Sequence, residues 1–377
     1  MRRVVVTGAR GFIGRNVMVA LARRNDLEVA GFDLGDSVES LAAALADAEV
    51  VYHLAGVNRP KDPQEFEAGN AGFTRELCGL MTAAGAQPTV LFASSTQAEL
   101  DNPYGASKLA AERALEEWSR SSTAAVAIFR LPNVFGKWGL PEYNSVTATF
   151  CYNAAHGLPL RVDDPSSPLR LVYVDDVVAA FVSLLDGPAF AGVERPTVGP
   201  VVDTTVGELA ARIQTLHALQ HAADTPDLSS HFARALHSTY VSYLEPEDLS
   251  FAFALRSDVR GDLAELVRYP RCGQIFFSRT HPGITRGNHY HDTKVERFIV
   301  LAGEGLVRMR RVDSDVVEEY PVSGAAPRAV IIPPGVTHSI ENTGCQEMLT
   351  LFWADEVFDP AFPDTHHEPV LREGEHA

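Results

Sequence analysis

Residues 1–14 read MRRVVVTGARGFIG. The run of valines is a short β-type segment, and GRNVMVALARR, starting at Gly14, has the apolar spacing of a helix. Gly8, Gly11 and Gly14 stand between and at the start of the two. A chain that turns tightly, offers bare backbone to a pyrophosphate and seats its helix close on a sheet needs glycine at such places. The helix N-terminus beyond the turn favours the phosphate charge. Gly8, Arg10, Gly11, Phe12, Ile13 and Gly14 are therefore expected to cradle a dinucleotide. Asp33 lies at the end of the second strand, about 20 residues further on. Its carboxylate can bind ribose hydroxyls and would repel a 2′-phosphate, whereas Arg10 in the turn can meet one. The pair leaves NAD against NADP open.

Outward from this stretch, short β-rich runs alternate with longer Ala/Leu-rich ones. RRVVVTG, EVAGFD, EVVYHLAG, TVLFASS and VAIFRLPNVFG read as strands; GRNVMVALARR, SVESLAAALADA, NAGFTRELCGLMTAAG and SKLAAERALEEWSR read as helices. Such alternation implies βαβ units and a doubly wound parallel sheet. A further helical region follows from about Val206 to Tyr243. After LEPEDLS the texture changes to β-type runs between Gly/Pro turns: GQIFFSRTHPG, VERFIVLAGEG, RAVIIPPG and EMLTLFWA. That is the pattern of a small all-β barrel or sandwich. The expected division is residues 1–246, α/β of Rossmann type, and 247–377, all-β.

With 32 Lys+Arg against 49 Asp+Glu, the 377 residues carry a formal charge of −17, shared almost equally on either side of Glu247. A surface this acidic argues against nucleic acid and membrane surfaces as partners. No apolar run approaches the ~18 residues of a membrane span. The start lacks the small-residue cleavage pattern of a signal peptide. Cys78, Cys151, Cys272 and Cys345 are far apart and form no CxxC, which fits reduced thiols and a cytoplasmic location.

Tyr104-Gly105-Ala106-Ser107-Lys108 places Tyr and Lys at i and i+4, on one face of a helix. An ammonium there can lower the phenol pKa and hold a nicotinamide ribose, leaving the phenol to give its proton to a carbonyl. These residues resemble those of the short-chain dehydrogenase/reductase superfamily, and more closely its extended, nucleotide-sugar-modifying branch. His53-Leu54-Ala55-Gly56 is similar to that family's fourth-strand motif, which adds Leu54, Ala55 and Gly56 to the cofactor site. The resemblance also implies a Ser or Thr that hydrogen-bonds the reacting oxygen. Ser95 is favoured, with Ser94 and Thr96 as alternatives, because the spacing to Tyr104 is shorter than the family's.

In the second part, Gly283 precedes His289-Tyr290-His291, Glu296 and Gly303, and Pro333-Pro334-Gly335 precedes His338 and Asn342. His289 and His291 share one side of a strand. With Glu296 and His338 they make three imidazoles and a carboxylate, a coherent divalent-metal set. The spacing resembles the two motifs of the cupin superfamily, departing only at Pro327, where the second motif has glycine. Zinc is the first expectation, although iron, manganese and nickel use the same ligands. His366, His367 and His376 read as solvated residues of a polar tail.

DNPYGASK, LPNVFGKWGLPEYNSVTATFCYN, GNHYHDTKVERF and FDPAFPDT together resemble the CapF family of bifunctional capsular-polysaccharide enzymes. The resemblance implies a cupin that epimerises C3 of a UDP-4-keto-6-deoxy-N-acetylhexosamine. It also implies a reductase domain that uses NADPH to reduce the C4 ketone, giving UDP-2-acetamido-2,6-dideoxy-L-talose. Tyr104, Lys108 and Ser95 would serve the reduction. For the epimerisation Lys294, Tyr290 and His338 are candidate bases, and His289 stands open between ligand and base. A homodimer is the family expectation. Two alternatives are a reductase fused to a cupin oxygenase, and a non-catalytic nucleotide-sugar sensor.

Overall fold

The β-branched runs of the first part form β1 (Arg2–Thr7), β2 (Leu27–Phe32), β3 (Val50–His53), β4 (Thr89–Ser95) and β5 (Val126–Leu131). Between them lie α1 (Phe12–Ala22), α2 (Val38–Ala46), α3 (Gln64–Phe66), α4 (Phe73–Ala83) and α5 (Pro103–Ser122). Next come β6 (Asn133–Phe135), α6 (Val146–Ala155), β7 (Pro168–Tyr173), α7 (Val174–Asp186), β8 (Val193–Glu194) and β9 (Val201–Thr205). The computed structural model describes residues 1–60, 62, 64–221, 225–252, 256–258, 261–263, 273–356 and 360–372. Cys272, Phe358, Asp359 and His376 lie outside the described residues.

Six strands pair in the order β2-β1-β3-β4-β5-β8, all parallel. Val5, Val51, Val90 and Ile128 of its central strands are buried with Leu77, Leu115 and Trp118 of the helices in one core cluster. VAIFRLPNVFG, expected as one strand, is two. Pro132 has no N–H to give the ladder, so β5 stays in the main sheet and β6 leaves it to pair with β7 beside β9. The glycine turn after β1 and Ser95 at the end of β4 both sit at the carboxyl edge of the parallel sheet. That edge is where open α/β sheets receive their ligands.

The helical stretch from Val206 to Tyr243 is also divided, into α8 (Val206–Leu219) and α9 (His231–Val241). Thr205 and Glu208 form a capping box that starts α8, and Ser230 caps α9. Among the described residues twelve strands follow: β10 (Ser250–Ala252), β11 (Arg256–Asp258), β12 (Gly261–Leu263), β13 (Gln274–Thr280), β14 (Thr285–Tyr290), β15 (Glu296–Ala302), β16 (Glu304–Arg311), β17 (Val317–Ser323), β18 (Arg328–Ile332), β19 (Val336–Asn342), β20 (Met348–Ala354) and β21 (His366–His367). Apart from the β11-β12 hairpin they make two antiparallel five-stranded sheets, β10-β18-β15-β20-β13 and β17-β16-β19-β14-β21. Phe298, Val307, Met309, Ile332, Ile340 and Phe352 are buried together, drawn from both sheets. The double-sheet arrangement is that of a jelly-roll barrel.

By contacts the chain forms two compact units, one of 1–146 with 168–204, the other of 147–167 with 205–377. Residue 246, where helix gives way to strand, falls inside the second unit. Among the described residues no helix is long and apolar enough to cross a membrane.

Candidate active site and candidate metal centre

The first site starts at the glycine turn. Gly8 has φ +71°, and a Cβ there would lie 2.6 Å from the Ala55 nitrogen. A Cβ on Gly14 would lie 1.9 Å from the Gly8 carbonyl oxygen. The turn therefore brings Gly8–Gly14 and Leu54–Gly56 together as bare backbone, a cradle that a side chain would fill. Gly11 caps α1 in an extended conformation, leaving the N-terminus of the helix open to an anion. Phe12 and Ile13 open that helix.

Asp33 and Arg10 come together, but not as two free groups. The Arg10 backbone N–H donates to the Asp33 carboxylate at 2.7 Å, as does the Leu34 N–H at 2.9 Å. The Arg10 guanidinium donates to both oxygens of Asp36, at 2.8 and 2.9 Å. Asp36, unremarked in the sequence, is held below the usual carboxylate range by the Asp33 N–H and by Arg10.

Asn102 caps α5 by accepting from the Gly105 N–H at 2.8 Å, with Pro103 in the first turn. A Cβ on Gly105 would lie 2.1 Å from the Gln97 carbonyl oxygen, so the helix start is pressed onto the turn that follows β4. This close approach sets Ser95, whose Oγ accepts from the Gln97 N–H at 3.2 Å, beside Tyr104. Ser94 is spoken for, since its hydroxyl donates to buried Glu112, and Thr96 opens the short helical turn Thr96–Glu99. Burial pushes the Tyr104 pKa up, with Ser95 opposing. The expected lowering of the phenol by Lys108 is not seen, since the net shift is upward, and the phenol holds its proton at neutral pH.

Lys108 is 4% exposed; its ammonium donates to the Ala93 carbonyl at 3.1 Å and lies 5.0 Å from the centre of the Phe92 ring. Burial lowers its pKa to about 8, and Glu112 one turn on opposes the shift. A Cβ on Gly56 would come within 3.0 Å of this ammonium. Asn70, passed over as part of a helix, sits in the π-helical turn Glu67–Gly72. It accepts from the Val57 N–H and donates to the Val57 carbonyl and to Ser107, tying the loop after β3 to α5. His53 bridges Thr7 and Thr74 at 2.9 and 2.8 Å, and burial holds its pKa near 3, so it stays neutral.

The second site is built from three strands. Gly287 and Asn288 have positive φ, and the β14–β19 register shifts between Gly287 and His289, a bulge that turns His289 toward its paired partner His338. The ligand atoms of His289, His291, Glu296 and His338 all lie within 4.8 Å of one another. His291 and His338 each place Nε2 3.3 and 3.4 Å from one oxygen of Glu296. Both nitrogens are buried without an aligned hydrogen-bond partner. Orphaned imidazole nitrogens converging on a carboxylate fit a divalent metal.

The other ring nitrogens are occupied: His291 Nδ1 meets the Asp364 carbonyl, and His338 Nδ1 lies 3.2 Å from the Val336 carbonyl. The His289 pKa falls to about 4 through burial and the two neighbouring imidazoles. Desolvation would raise Glu296, but the imidazoles win and hold it far below the carboxylate range. Asp364 lies in FDPAFPDT, where no spacing marks it as a site residue. Its carboxylate accepts from the N–H groups of Asp292, Thr293 and Lys294, at 2.8, 3.0 and 3.0 Å.

Of the candidate bases, Tyr290 alternates with His289 and His291 and packs on His366, away from the four ligands. Lys294 is buried two positions before Glu296, and its charge acts on Glu356. Among the described residues no contact joins its ammonium to the four. The tail histidines are not all solvated: β21 pairs with β14, and half-buried His366 meets Asp292 and Asp364 at 3.7 and 3.4 Å. Pairing at the edge of a sheet gives this segment the ladder that a free tail lacks.

A Rossmann-type sheet with a Ser-Tyr-Lys set at its carboxyl edge, followed by a jelly-roll barrel with a His₃Glu cluster, defines an oxidoreductase of the extended short-chain dehydrogenase/reductase kind joined to a cupin-like unit. Residues 4–195 match the NAD dependent epimerase/dehydratase family, and residues 256–366 match the polysaccharide biosynthesis C-terminal domain. The chain belongs to that epimerase/dehydratase family and, carrying both parts, to its CapF-like members. It is 40% identical over 364 residues to UDP-2-acetamido-2,6-beta-L-arabino-hexul-4-ose reductase of Pseudomonas aeruginosa, covering 97% of this chain and 98% of that one. The crystal structure of capsular polysaccharide assembling protein CapF from Staphylococcus aureus is 40% identical, with a TM-score of 0.66 over 97% of this chain and 100% of that chain. UDP-glucuronic acid 4-epimerase from Bacillus cereus in complex with NAD, at 17% identity and a TM-score of 0.54, covers 64% of this chain and 98% of that chain; it shares the fold of that part.

Proposed function

We propose that this chain is a bifunctional nucleotide-sugar enzyme of capsular or surface polysaccharide synthesis. The barrel epimerises C3 of a UDP-4-keto-6-deoxy-N-acetylhexosamine, and the Rossmann unit reduces the C4 ketone to give UDP-2-acetamido-2,6-dideoxy-L-talose. The observation that carries the reading is the end-to-end likeness to a UDP-acetamido-hexulose reductase, together with an intact Ser95-Tyr104-Lys108 set.

The reduced nicotinamide, NADPH by the family resemblance, supplies the hydride. Gly8–Gly14 and the α1 N-terminus hold its pyrophosphate, Asp33 faces its ribose, and Leu54, Ala55 and Gly56 leave room beside it. Ser95 donates to the ketone oxygen and Tyr104 passes it the phenol proton as negative charge develops there. Lys108, cationic at neutral pH with its pKa near 8, orients the ribose and steadies that charge.

His289, His291, Glu296 and His338 hold a divalent metal, zinc in the first instance. When bound, it supplies positive charge that acidifies the proton next to a ketone. His338 is enclosed in the centre and Tyr290 faces away, so Lys294 is the side chain that takes the C3 proton, and inversion is completed by a solvent-derived proton delivered to the opposite face. The acceptor of the finished chemistry is the UDP-sugar, and a second copy of this chain is the expected partner.

The test is to give the purified protein a UDP-4-keto-6-deoxy-N-acetylhexosamine in deuterated water, with NADPH and with NADH, and to read the product by NMR. A reduced 6-deoxy sugar carrying deuterium at C3 is expected. Reduction without deuterium at C3 would remove the epimerase half, and no oxidation of either cofactor would remove the reductase half.

A further inference from the structure

Residues of the metal cluster face one side of β15; the residue after Glu296 faces the other. Arg297 pairs with Ile331 of β18 and Trp353 of β20, and its side chain enters the space between this sheet and the helices α8 and α9. It is 3% exposed. The rings of Trp353 and Phe251, 5.2 and 5.8 Å from its guanidinium carbon, cover its faces. Faces, however, are not where a guanidinium needs partners: its N–H groups lie in the plane. Nε and Nη1 are both buried and have no hydrogen-bond acceptor among the described residues. Among the described residues Arg297 forms no ion pair.

The cavity it lines is closed further by His237, Tyr240, Gln220 and Leu216. It is small, with room for an occupant about the size of one water. His237 is buried, and its Nδ1 also lacks a hydrogen-bond partner; the nearest carboxylate oxygen, on Asp355, is 3.9 Å away. Tyr240 and Gln220 are already bonded to each other, the phenol donating to the amide oxygen. An always-charged group held out of water with unmet donors is costly unless an anion joins it. A water could satisfy one donor but would leave the charge uncompensated.

We infer that this cavity is a binding site for a small inorganic monoanion of the chloride class, held in the plane of Arg297. The site is separate from both candidate active sites and does not rest on the proposed reactions. Its effect is on the second unit itself, where the anion ties the helices α8 and α9 to the outer face of the sheet that carries Glu296.

Two measurements on the full-length chain test it. Thermal unfolding is compared in sodium chloride and sodium gluconate at matched ionic strength, for the natural chain and for Arg297→Gln. Chloride is expected to raise Tm by about 2–4 °C, an effect of one weakly saturated site, and Arg297→Gln is expected to abolish the difference. Because Arg297→Gln can fail to fold, crystals of the natural chain grown in bromide supply an independent reading. An anomalous peak in the plane of Arg297 is expected. No peak there, equal Tm in the two salts, or a chloride effect that survives in Arg297→Gln would each overturn the assignment.

Discussion

At the first site the buried cation is Lys108, kept by one carbonyl, one ring face and the carboxylate of Glu112 a helical turn away. In the second, four groups from three strands converge, and two imidazole nitrogens are left with nothing aligned to accept. One arrangement is complete within the chain, and its charge is lowered toward neutrality by burial. The other has the donor set that fits a cation from outside. The contrast predicts that removing a partner has graded consequences in the first site and all-or-none consequences in the second.

The largest effect should therefore come from His338→Ala, which is expected to lose the bound metal entirely by elemental analysis and with it the metal-linked part of the thermal stability. Full metal content in that variant would break the contrast. Tyr104→Phe is expected to slow ketone reduction about 10²–10⁴-fold, the usual worth of a general acid, while deuterium exchange at C3 continues. If exchange stops as well, the two sites are one. Asp364→Ala removes the carboxylate that orders Asp292–Lys294 beside His291, without touching a ligand. Metal affinity should fall about 10–100-fold in a competition titration with a chelator, the usual cost of a lost outer partner.

How legible the two sites were follows the same line. The turn Gly8–Gly14 and the pair Tyr104–Lys108 are local, each within one turn or helix, so spacing alone places them. The His₃Glu set is spread over 50 residues of chain from His289 to His338, yet each piece lies at a strand end with a recognisable spacing. What spacing did not reveal are the supports. Asn70, Gly105, Glu112 and Asp364 act through contacts with residues distant in sequence or through backbone crowding, and no periodicity marks them. The strands that read clearly, β13, β15, β18 and β20, all belong to one sheet, with Phe298, Ile332 and Phe352 in its buried core. The opposite sheet alternates Arg and Glu with apolar residues, as in EGLVRMRR of β16, and its strands lack a continuous apolar signal. Pro132 broke one expected strand because its missing N–H ends the ladder there.

A smaller effect is expected at Glu112, which is fully buried and accepts from Ser94 and Arg130 while raising the Lys108 pKa. Glu112→Gln should let the lysine lose its proton at lower pH, moving the alkaline limb of kcat/KM for reduction downward from about pH 8. The natural chain has the matching signature in stability. With Lys108 at about 8 folded against 10.5 in the open chain, the unfolded state binds more protons between those values, so this group makes stability rise with pH across that window. Breaking the buried pair with Arg130 costs about 3 kcal/mol, visible as a lower urea midpoint. An unmoved alkaline limb in a folded Glu112→Gln protein would detach Lys108 from the pH profile.

The smallest effect sharpens the one point on which Asp33 and Arg10 disagree. Arg10 is tied to Asp36 by two hydrogen bonds at the surface, where solvent weakens such a pair. A 2′-phosphate could therefore draw Arg10 away, but only against Asp36 and past the carboxylate of Asp33. Asp36→Ala frees the guanidinium and removes a negative charge beside Asp33. The ratio of kcat/KM for NADPH to that for NADH should rise by about fivefold or less, the modest effect of a solvent-screened surface pair. A ratio that falls instead would mean that Asp36 holds Arg10 in the position from which it already meets the phosphate, and the pair would then favour NADPH as it stands.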